Sequence, residues 1–277
     1  MNSIKNWDFQ YWKNFSLFTL DTIGSISPYA LKKGRSKIMD KNQYMNIPYS
    51  FLAMFVGVVD GDGHISISKV KEQYIKISLV LSLHINDIDV LNYIQSVLKL
   101  GKINIYPKKG IIHNCKLVIN KTDLQDIVFP LLLHHELFFL TKVRNEQFNK
   151  ALFIMKNNLI YFKDIPILSF IREEILNSES ILNLKFFDNW IIGFTIAEGS
   201  FLIKKNKDAC YQLRQRTEMN LFQALKLKFK TDRKIGYDKN KLYCQLSVSS
   251  KKDIQTVIDF FSYFGNHPLF GLKLISY

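Results

Sequence analysis

Acidic residues at the ends of apolar segments are the part of this sequence best suited to chemistry. Residues 51–59 form an apolar run interrupted only by Gly57, and Asp60 and Asp62 follow it, each before a glycine. Such a run predicts a helix that is buried on every side. Both acids then lie at its carboxyl end, where the helix dipole disfavours negative charge and a divalent cation would offset the cost. A buried helix that ends in a Gly-Asp-Gly turn is the alternative interpretation.

The same pattern occurs a second time, in residues 187–201. The number of residues from Gly57 to Gly193 is the same as the number from Asp62 to Glu198. Two such helices packed through Gly57 and Gly193 would bring Asp62 and Glu198 together at one end. Two close carboxylates do not both ionise readily unless a cation binds between them. The repeated pattern therefore predicts a metal site.

The elements that must position these acids also occur twice. Each apolar helix is followed by alternating segments typical of strands and by amphipathic segments typical of helices. In the first copy we expect strands over 64–70, 74–85, 102–106 and 113–120, a helix over 86–101, and a helix from 121 that Pro130 interrupts. In the second copy we expect strands over 200–205, 209–219, 233–237 and 241–249, with helices over 221–230 and from 251.

This period is too long for a solenoid and fits two tandem copies of one fold. We expect a basic N-terminal extension over 1–46, a first repeat over 47–150, a connector over 151–186 and a second repeat over 187–277. The basic segment 32–37 is expected to be a flexible linker. The chain ends at Tyr277, soon after Lys273.

Composition favours a polyanionic partner. Lys and Arg number 38 against 24 Asp and Glu, which gives a formal net charge of +14. A surplus of this size favours nucleic acid first and an anionic membrane second, with general basicity as the alternative. The three cysteines are widely spaced and predict neither a disulfide framework nor a zinc site. The sequence contains no apolar run of the roughly 18–20 residues that span a bilayer, and no secretory signal is expected at its start.

One face of each predicted sheet is polar and poor in acids. Helices on one side of an antiparallel sheet leave the other side in solvent. In the first repeat the outward residues are Lys69, Tyr74, Lys76, Lys102, Asn104, Asn114 and Lys116; in the second they are Lys204, Gln212, Arg214, Arg216, Lys234, Tyr243 and Gln245. Lysine and arginine suit phosphate and guanine, and asparagine and glutamine suit adenine. The sequence thus predicts two nucleic-acid-binding sheets, although a plain soluble face would also be polar.

Residues 55–63 and 191–199 resemble the nine-residue signature of the LAGLIDADG homing endonucleases and maturases. The resemblance is to the single-chain, two-repeat kind encoded in fungal mitochondrial group I introns, and it covers about residues 47–277. It implies an α+β fold of two tandem αββαββα repeats related by a pseudo-twofold axis, each with a saddle-shaped, four-stranded antiparallel sheet that faces DNA. It also implies a monomer without a membrane segment. By the same resemblance the second repeat is expected to be short at its C-terminus, since the family usually continues into a further helix after the segment that carries Lys273.

The resemblance assigns roles to individual residues. The acid that the family uses for metal is the eighth of the signature, here Asp62 and Glu198. The sixth position is Asp60 in the first copy and Ile196 in the second, so Asp60 is expected to have a structural or capping role. Two or three Mg²⁺ ions are implied, held at Asp62 and Glu198 with Gly61 and Ala197. The same resemblance places Lys142, Lys273 and Gln215 in or around the catalytic site; without it, both lysines would be ordinary surface residues.

Three functions remain open from the sequence. The resemblance implies a site-specific endonuclease that hydrolyses both DNA strands across the minor groove and promotes mobility of its own intron. It equally allows an RNA maturase that binds its host group I intron and assists splicing, and one chain can do both. A transcription regulator or architectural DNA-binding protein is the third class, but it leaves the paired acids unexplained. By resemblance the protein is expected in the mitochondrion.

Overall fold

The computed structural model describes residues 40–108, 111–167, 170, 176–240 and 242–277. Segment 32–37, the expected basic linker, lies outside the described residues. The first half contains α1 Lys41–Met45, α2 Tyr49–Asp62, β1 Gly63–Val70, β2 Tyr74–His84, α3 Ile88–Leu98, β3 Lys102–Lys108, β4 Ile111–Asn120, α4 Lys121–Asp123, α5 Phe129–His134, and α6 Lys142–Lys156. A 3-10 turn at Ile85–Asp87 precedes α3, and a π-helical turn at Leu124–Val128 joins α4 to α5.

The second half repeats this order after a short helix. It contains α7 Ser178–Leu182, α8 Phe187–Glu198, β5 Gly199–Ile203, β6 Ala209–Arg216, α9 Met219–Lys228, β7 Gly236–Tyr237, β8 Tyr243–Val248, α10 Lys251–Phe261, and α11 Leu272–Ser276. Each half forms one four-stranded antiparallel sheet, and the strand orders β1-β2-β4-β3 and β5-β6-β8-β7 are equivalent. The predicted α+β fold of two tandem repeats is therefore confirmed.

The two signature helices, α2 and α8, pack against each other at the centre of the protein. Their apolar residues are almost all buried, which explains why neither helix has a polar face. Gly57 lies against the Trp190 backbone carbonyl, and Gly193 lies against the Met54 backbone carbonyl. A Cβ at either glycine would collide with that oxygen. Glycine is needed at both positions because the two backbones touch.

Several boundaries differ from the sequence prediction. The first strand of the β7/β8 pair is only Gly236–Tyr237 rather than 233–237, and β6 ends at Arg216 rather than near 219. The helix from 121 does not end at Pro130, but its α-helical hydrogen bonding gives way to the π-helical turn directly before α5, and Pro130 occupies the first turn of α5. Proline lacks an N–H and its ring crowds the carbonyl four residues back. The wider π turn is compatible with both effects.

Within the described part of the chain, every helix is too short or too polar to cross a lipid bilayer.

Candidate active site and nucleic-acid interface

Asp62 and Glu198 are the last residues of α2 and α8, and the packing of these helices brings them together. One residue earlier, Gly61 lies so close to α8 that an added Cβ would collide with the Ala197 side chain and come within 3.1 Å of Glu198 Cγ. The structure therefore places Asp62, Glu198, Gly61 and Ala197 at one point, below the first residues of both sheets. Only side chains as small as those of Gly61 and Ala197 allow this approach.

The electrostatics of the two acids are those of carboxylates that lack sufficient countercharge. Burial, followed by the negative charge of Glu198, raises the pKa of Asp62 to about 7, while Lys273 and Arg144 act in the opposite direction. Burial also raises the pKa of Glu198, against a hydrogen bond from Gln215 and the charges of Lys273 and Arg144. The protein alone thus disfavours full ionisation of this pair near neutral pH.

A divalent cation fits this arrangement. The available donors are two carboxylates and nearby backbone carbonyls, the hard oxygen ligands that Mg²⁺ prefers with water and phosphate completing its shell. Within the described residues there is no cluster of three or more His, Cys, Asp and Glu side chains that could hold a metal by themselves. A cation at this point would therefore rely on the two acids and on oxygens from backbone, water or substrate.

Gln215 lies beside the acids because of the register of the second sheet. It is paired with Cys244 on the face that packs on the helices, and its Nε2 donates to Glu198 Oε1 at 2.9 Å. This hydrogen bond fixes one oxygen of Glu198. Of the residues assigned by resemblance, Gln215 and Lys273 are both brought to the acid pair by the structure.

Lys142 has different neighbours. Its side chain is exposed, its backbone N–H donates to Glu218 Oε1 at 2.8 Å, and its charge lowers the pKa of Glu218, which burial raises. The cation of α6 that acts on the acid pair is Arg144, which sequence reasoning missed. Arg144 Nε lies 3.4 Å from the Val59 carbonyl oxygen at the end of α2. Its position in the first turn of α6 was the only available signal, and it has no recognisable motif.

Asp60 has a structural role. Its Oδ2 accepts hydrogen bonds from the Leu140 N–H and from Trp190 Nε1, each at 2.8 Å. Its Oδ1 accepts from the Thr141 N–H at 3.1 Å and the Thr141 hydroxyl at 2.6 Å. Burial raises the pKa of Asp60 to about 6, although these four hydrogen bonds favour the charged form. Asp60 therefore ties α2 to α8 and to the start of α6, as expected for a capping residue.

The outward face of the first sheet carries most of the predicted residues. Lys116 is paired with Asn104 on β3 and with Ser82 on β2, so these side chains form a row across the sheet. The Lys116 ammonium lies 5.2 Å from the centre of the Tyr106 ring. By the same register Lys76, Lys102, Tyr74 and Asn114 share this face.

Lys69 is the exception, and its predicted placement is corrected. Lys69 pairs with Ile75 and lies on the same face as Ile67 and Ile65, the face that packs against the helices. It is exposed only because β1 extends beyond the core at this end. The alternation of β1 puts His64, Ser66 and Ser68 outward instead.

In the second sheet the outward residues form a compact polar patch. Arg214 pairs with Gln245, Arg216 pairs with Tyr243, and the Arg214 guanidinium lies 5.1 Å from the Tyr243 ring centre. Gln212 Nε2 donates to Ser247 Oγ at 2.9 Å.

The two remaining lysines of the predicted set lie beside this sheet rather than within it. Lys204 follows β5, and its Nζ donates to Ser249 Oγ at 2.8 Å. Lys234 is exposed and precedes β7, because the predicted strand is shortened at this end.

Fold and site together define a class: a two-repeat α+β protein in which two packed helices bring one acid each to a point between two basic sheets. A family model described as LAGLIDADG endonuclease matches residues 55–152 and 191–277. The chain belongs to this family. Each matched segment begins within a signature helix and includes the sheet that follows it.

Individual relatives agree with this assignment. The chain is 29% identical over 261 residues to the "Probable intron-encoded endonuclease aI3" of Kluyveromyces lactis, covering 81% of this chain and 63% of that protein. The match therefore spans less than two thirds of that relative.

Solved structures share the fold. The homing endonuclease I-LtrWI bound to target DNA has a TM-score of 0.63 at 20% identity, covering 82% of this chain and 87% of that one. I-SmaMI bound to an uncleaved DNA target in the presence of calcium ions has a TM-score of 0.60 at 18% identity, covering 80% and 86%.

Proposed function

We propose that this chain is a site-specific DNA endonuclease that cuts both strands of a double-stranded target by divalent-metal-dependent hydrolysis. One observation carries the proposal: Asp62 and Glu198, one from each repeat, meet at the end of α2 and α8 with raised pKa values. A purely architectural DNA-binding protein gains nothing from this costly arrangement. The name of the Kluyveromyces relative and the DNA-bound states of I-LtrWI and I-SmaMI support the same function.

The roles follow from position. Asp62 and Glu198, with the backbone at Gly61 and Ala197, would hold Mg²⁺, which when bound supplies Lewis-acid stabilisation of the charge on the attacked phosphate. Gln215 keeps one Glu198 oxygen oriented. Arg144 and Lys273 place positive charge beside the acids, where the pentavalent phosphate gains negative charge. Water adds to phosphorus through its oxygen and gives up one proton, while the bond to the leaving oxygen breaks and that oxygen takes up one proton.

The sheets would supply binding. Outward lysines and arginines of both sheets are suited to phosphates and guanine, and Asn104, Gln212 and Gln245 to adenine. One acid from each repeat suits a site that serves two strands. We further propose that Mg²⁺ is the physiological cation, that the protein acts as a monomer, and that it acts in the mitochondrion on an intron insertion site.

A cleavage assay tests this function. Purified protein is incubated with a supercoiled plasmid that carries the uninterrupted insertion site, with Mg²⁺ or with EDTA. Linear DNA is expected only with Mg²⁺, and the double variant D62N/E198Q, which preserves side-chain size, should give none while still binding the duplex. If wild-type protein gives no Mg²⁺-dependent double-strand cut, the proposal is rejected.

A second candidate function is binding of the host group I intron RNA. Its specific support is a groove at one end of the first sheet that includes four lysines, Lys76, Lys99, Lys102 and Lys121. Lys99 and Lys121 lie at helix ends rather than on the outward strands, so the basic surface continues past the sheet. Splicing of the precursor RNA, measured with and without protein, decides it. The D62N/E198Q variant should splice as well as the wild type does. If the splicing rate is the same with and without wild-type protein, the candidate is rejected.

A further inference from the structure

Two hydrogen bonds cross between the repeats beside the acid pair, one in each direction. The Lys142 N–H, in the first repeat, donates to Glu218 Oε1 at 2.8 Å. The Leu272 N–H, in the second repeat, donates to Asp87 Oδ1 at 2.9 Å. Glu218 immediately precedes α9, and Asp87 immediately precedes α3. Each repeat therefore sends a carboxylate from the start of the same helix to the other repeat.

The two contacts are equivalent by sequence spacing. The number of residues from Asp87 to Glu218 is the same as the number from Lys142 to Lys273. The donor is Lys142 itself in one case and Leu272, the neighbour of Lys273, in the other. The same arrangement thus occurs twice, with acceptor and donor exchanged between repeats.

Both receiving helices need an external acceptor. The first N–H groups of a helix have no partner inside it, and they favour a nearby carboxylate. Thr141, at the N-cap of α6, makes no side-chain capping bond, and Gly271, at the N-cap of α11, has no side chain. Asp87 and Glu218 supply the acceptors from the other repeat.

Gly271 shows how closely the second contact is fitted. Its φ of 66° and ψ of −154° lie in a region that is essentially restricted to glycine. An added Cβ would also come within 2.8 Å of Asp87 Oδ1 and 2.6 Å of Val90 Cγ2. The backbone before Lys273 is therefore in direct contact with the Asp87 carboxylate.

The capped helices carry the cations of the candidate active site. Arg144 lies in the first turn of α6 and Lys273 in the first turn of α11, and both charges act on Asp62 and Glu198. We propose that Asp87 and Glu218 are positioning residues: each holds the cation-bearing helix of the opposite repeat. Neither half of the site is then complete without the other repeat. The catalytic consequence rests on the proposed endonuclease function, whereas the capping itself does not.

The two caps differ in how much depends on them. The start of α6 is also held by Asp60, which accepts from Leu140 and Thr141. The corresponding signature residue in the second repeat is Ile196, whose side chain cannot accept a hydrogen bond. Loss of Asp87 should therefore displace Lys273 more than loss of Glu218 displaces Arg144.

Strand-resolved cleavage of an end-labelled target duplex tests the catalytic part. D87A should slow cutting of both strands on the order of ten-fold, the scale of a lost helix cap, because Lys273 acts on both acids. E218A should slow both strands by a smaller factor, because Asp60 also holds the start of α6. D87N and E218Q each retain a carbonyl acceptor and should restore wild-type rates for both strands. D89A removes an exposed acid two residues from Asp87 and serves as the matched control.

Hydrogen–deuterium exchange tests the capping without any cleavage. D87A should increase exchange in the peptide over 270–277 and leave the peptide over 139–148 unchanged, and E218A should do the reverse. Slower cleavage with unchanged exchange in both peptides would overturn the inference. So would a D87N variant as slow as D87A, because the charge rather than the cap would then be responsible. If wild-type protein does not cut DNA, the endonuclease proposal fails, and the exchange pattern alone decides the caps.

Discussion

Substitution of Asp60 by asparagine should destabilise the fold strongly, although Asp60 lies only two residues from the candidate metal ligand Asp62. Each oxygen of Asp60 accepts two hydrogen bonds: Oδ2 from Leu140 and Trp190, and Oδ1 from the Thr141 N–H and hydroxyl. Asparagine replaces one oxygen with an amide that only donates. In either orientation, two of the four buried donors lose their acceptor.

The size of the effect follows from this count. A buried donor without an acceptor costs about 1–3 kcal/mol, so two of them cost about 2–6 kcal/mol. Removal of the buried charge, whose cost is shown by the raised pKa of Asp60, offsets part of this, and D60N should lower the free energy of unfolding by about 1–4 kcal/mol. That loss is a large fraction of the total stability of an ordinary domain, about 5–15 kcal/mol. The side chain is 1% exposed, so solvent cannot replace the lost acceptor.

Urea unfolding followed by circular dichroism measures the loss, which should be larger at pH 5 than at pH 8, because the pKa of Asp60 is raised to about 6 and its ionisation opposes folding as the pH rises from about 4. D62N is the matched control: it makes the same chemical change two residues away and should not destabilise the metal-free protein. A D60N variant as stable as wild type but unable to cut DNA would refute the structural role of Asp60. It would place Asp60 in the chemistry instead.

Three further predictions test other parts of the site. D62N should raise the melting temperature of the metal-free protein more at pH 8 than at pH 5. The pKa of Asp62 in the folded protein is raised to about 7, so its ionisation opposes folding progressively from about pH 4 upward. An equal shift of the melting temperature at both pH values would contradict this. G193A should cost about 1–3 kcal/mol or more in urea unfolding, since its Cβ would strike the Met54 carbonyl, whereas G236A, whose Cβ would meet only the Gln245 carbonyl at 3.8 Å, should be tolerated. R144A should lower the single-turnover cleavage rate about 10²- to 10³-fold with little change in DNA affinity. K150A, on the same helix, should leave the rate unchanged. If R144A weakens binding at an unchanged rate, Arg144 has no role in the site.

The centre of the molecule was predictable because it obeys a local rule that occurs twice. An apolar helix with no polar face must be buried, and a glycine at the same place in both copies indicates that the two helices touch. From these two facts follow the pairing of Gly57 with Gly193 and the meeting of Asp62 and Glu198. The fold class follows from the same repetition, since both copies show one order of strands and helices.

Strand faces were predictable only where a strand remains inside the sheet along its whole length. The outward positions of β6 and β8 alternate regularly, and their faces agree with the sequence prediction. The outward placement predicted for Lys69 was wrong because this residue lies on the inward face of β1, at a point where the core no longer covers that face. A charged residue there is exposed for a reason unrelated to alternation. Lys234 lies outside β7 because that strand has only two residues.

The residues that position the site could not be predicted from the sequence, because their contacts join distant segments. In the sequence, Asp87 and Glu218 resemble ordinary acids at the start of a helix, and Arg144 resembles a surface charge on an amphipathic helix. Only the packing of one repeat against the other shows that the acids cap α11 and α6, and that Arg144 reaches the acid pair. Duplication predicts which positions correspond, but not which positions touch.

The duplication also shows where the two halves have become different. The eighth signature position is acidic in both copies, so both strands of a target would meet equivalent metal-binding acids. The sixth position is Asp60 in one copy and Ile196 in the other, so the helix that carries Arg144 is held by two acids and the helix that carries Lys273 by Asp87. Unequal support should make the two halves unequally sensitive to the loss of a cap. We therefore expect loss of Asp87 to slow cutting more than loss of Glu218, and removal of Asp60 to reduce that difference.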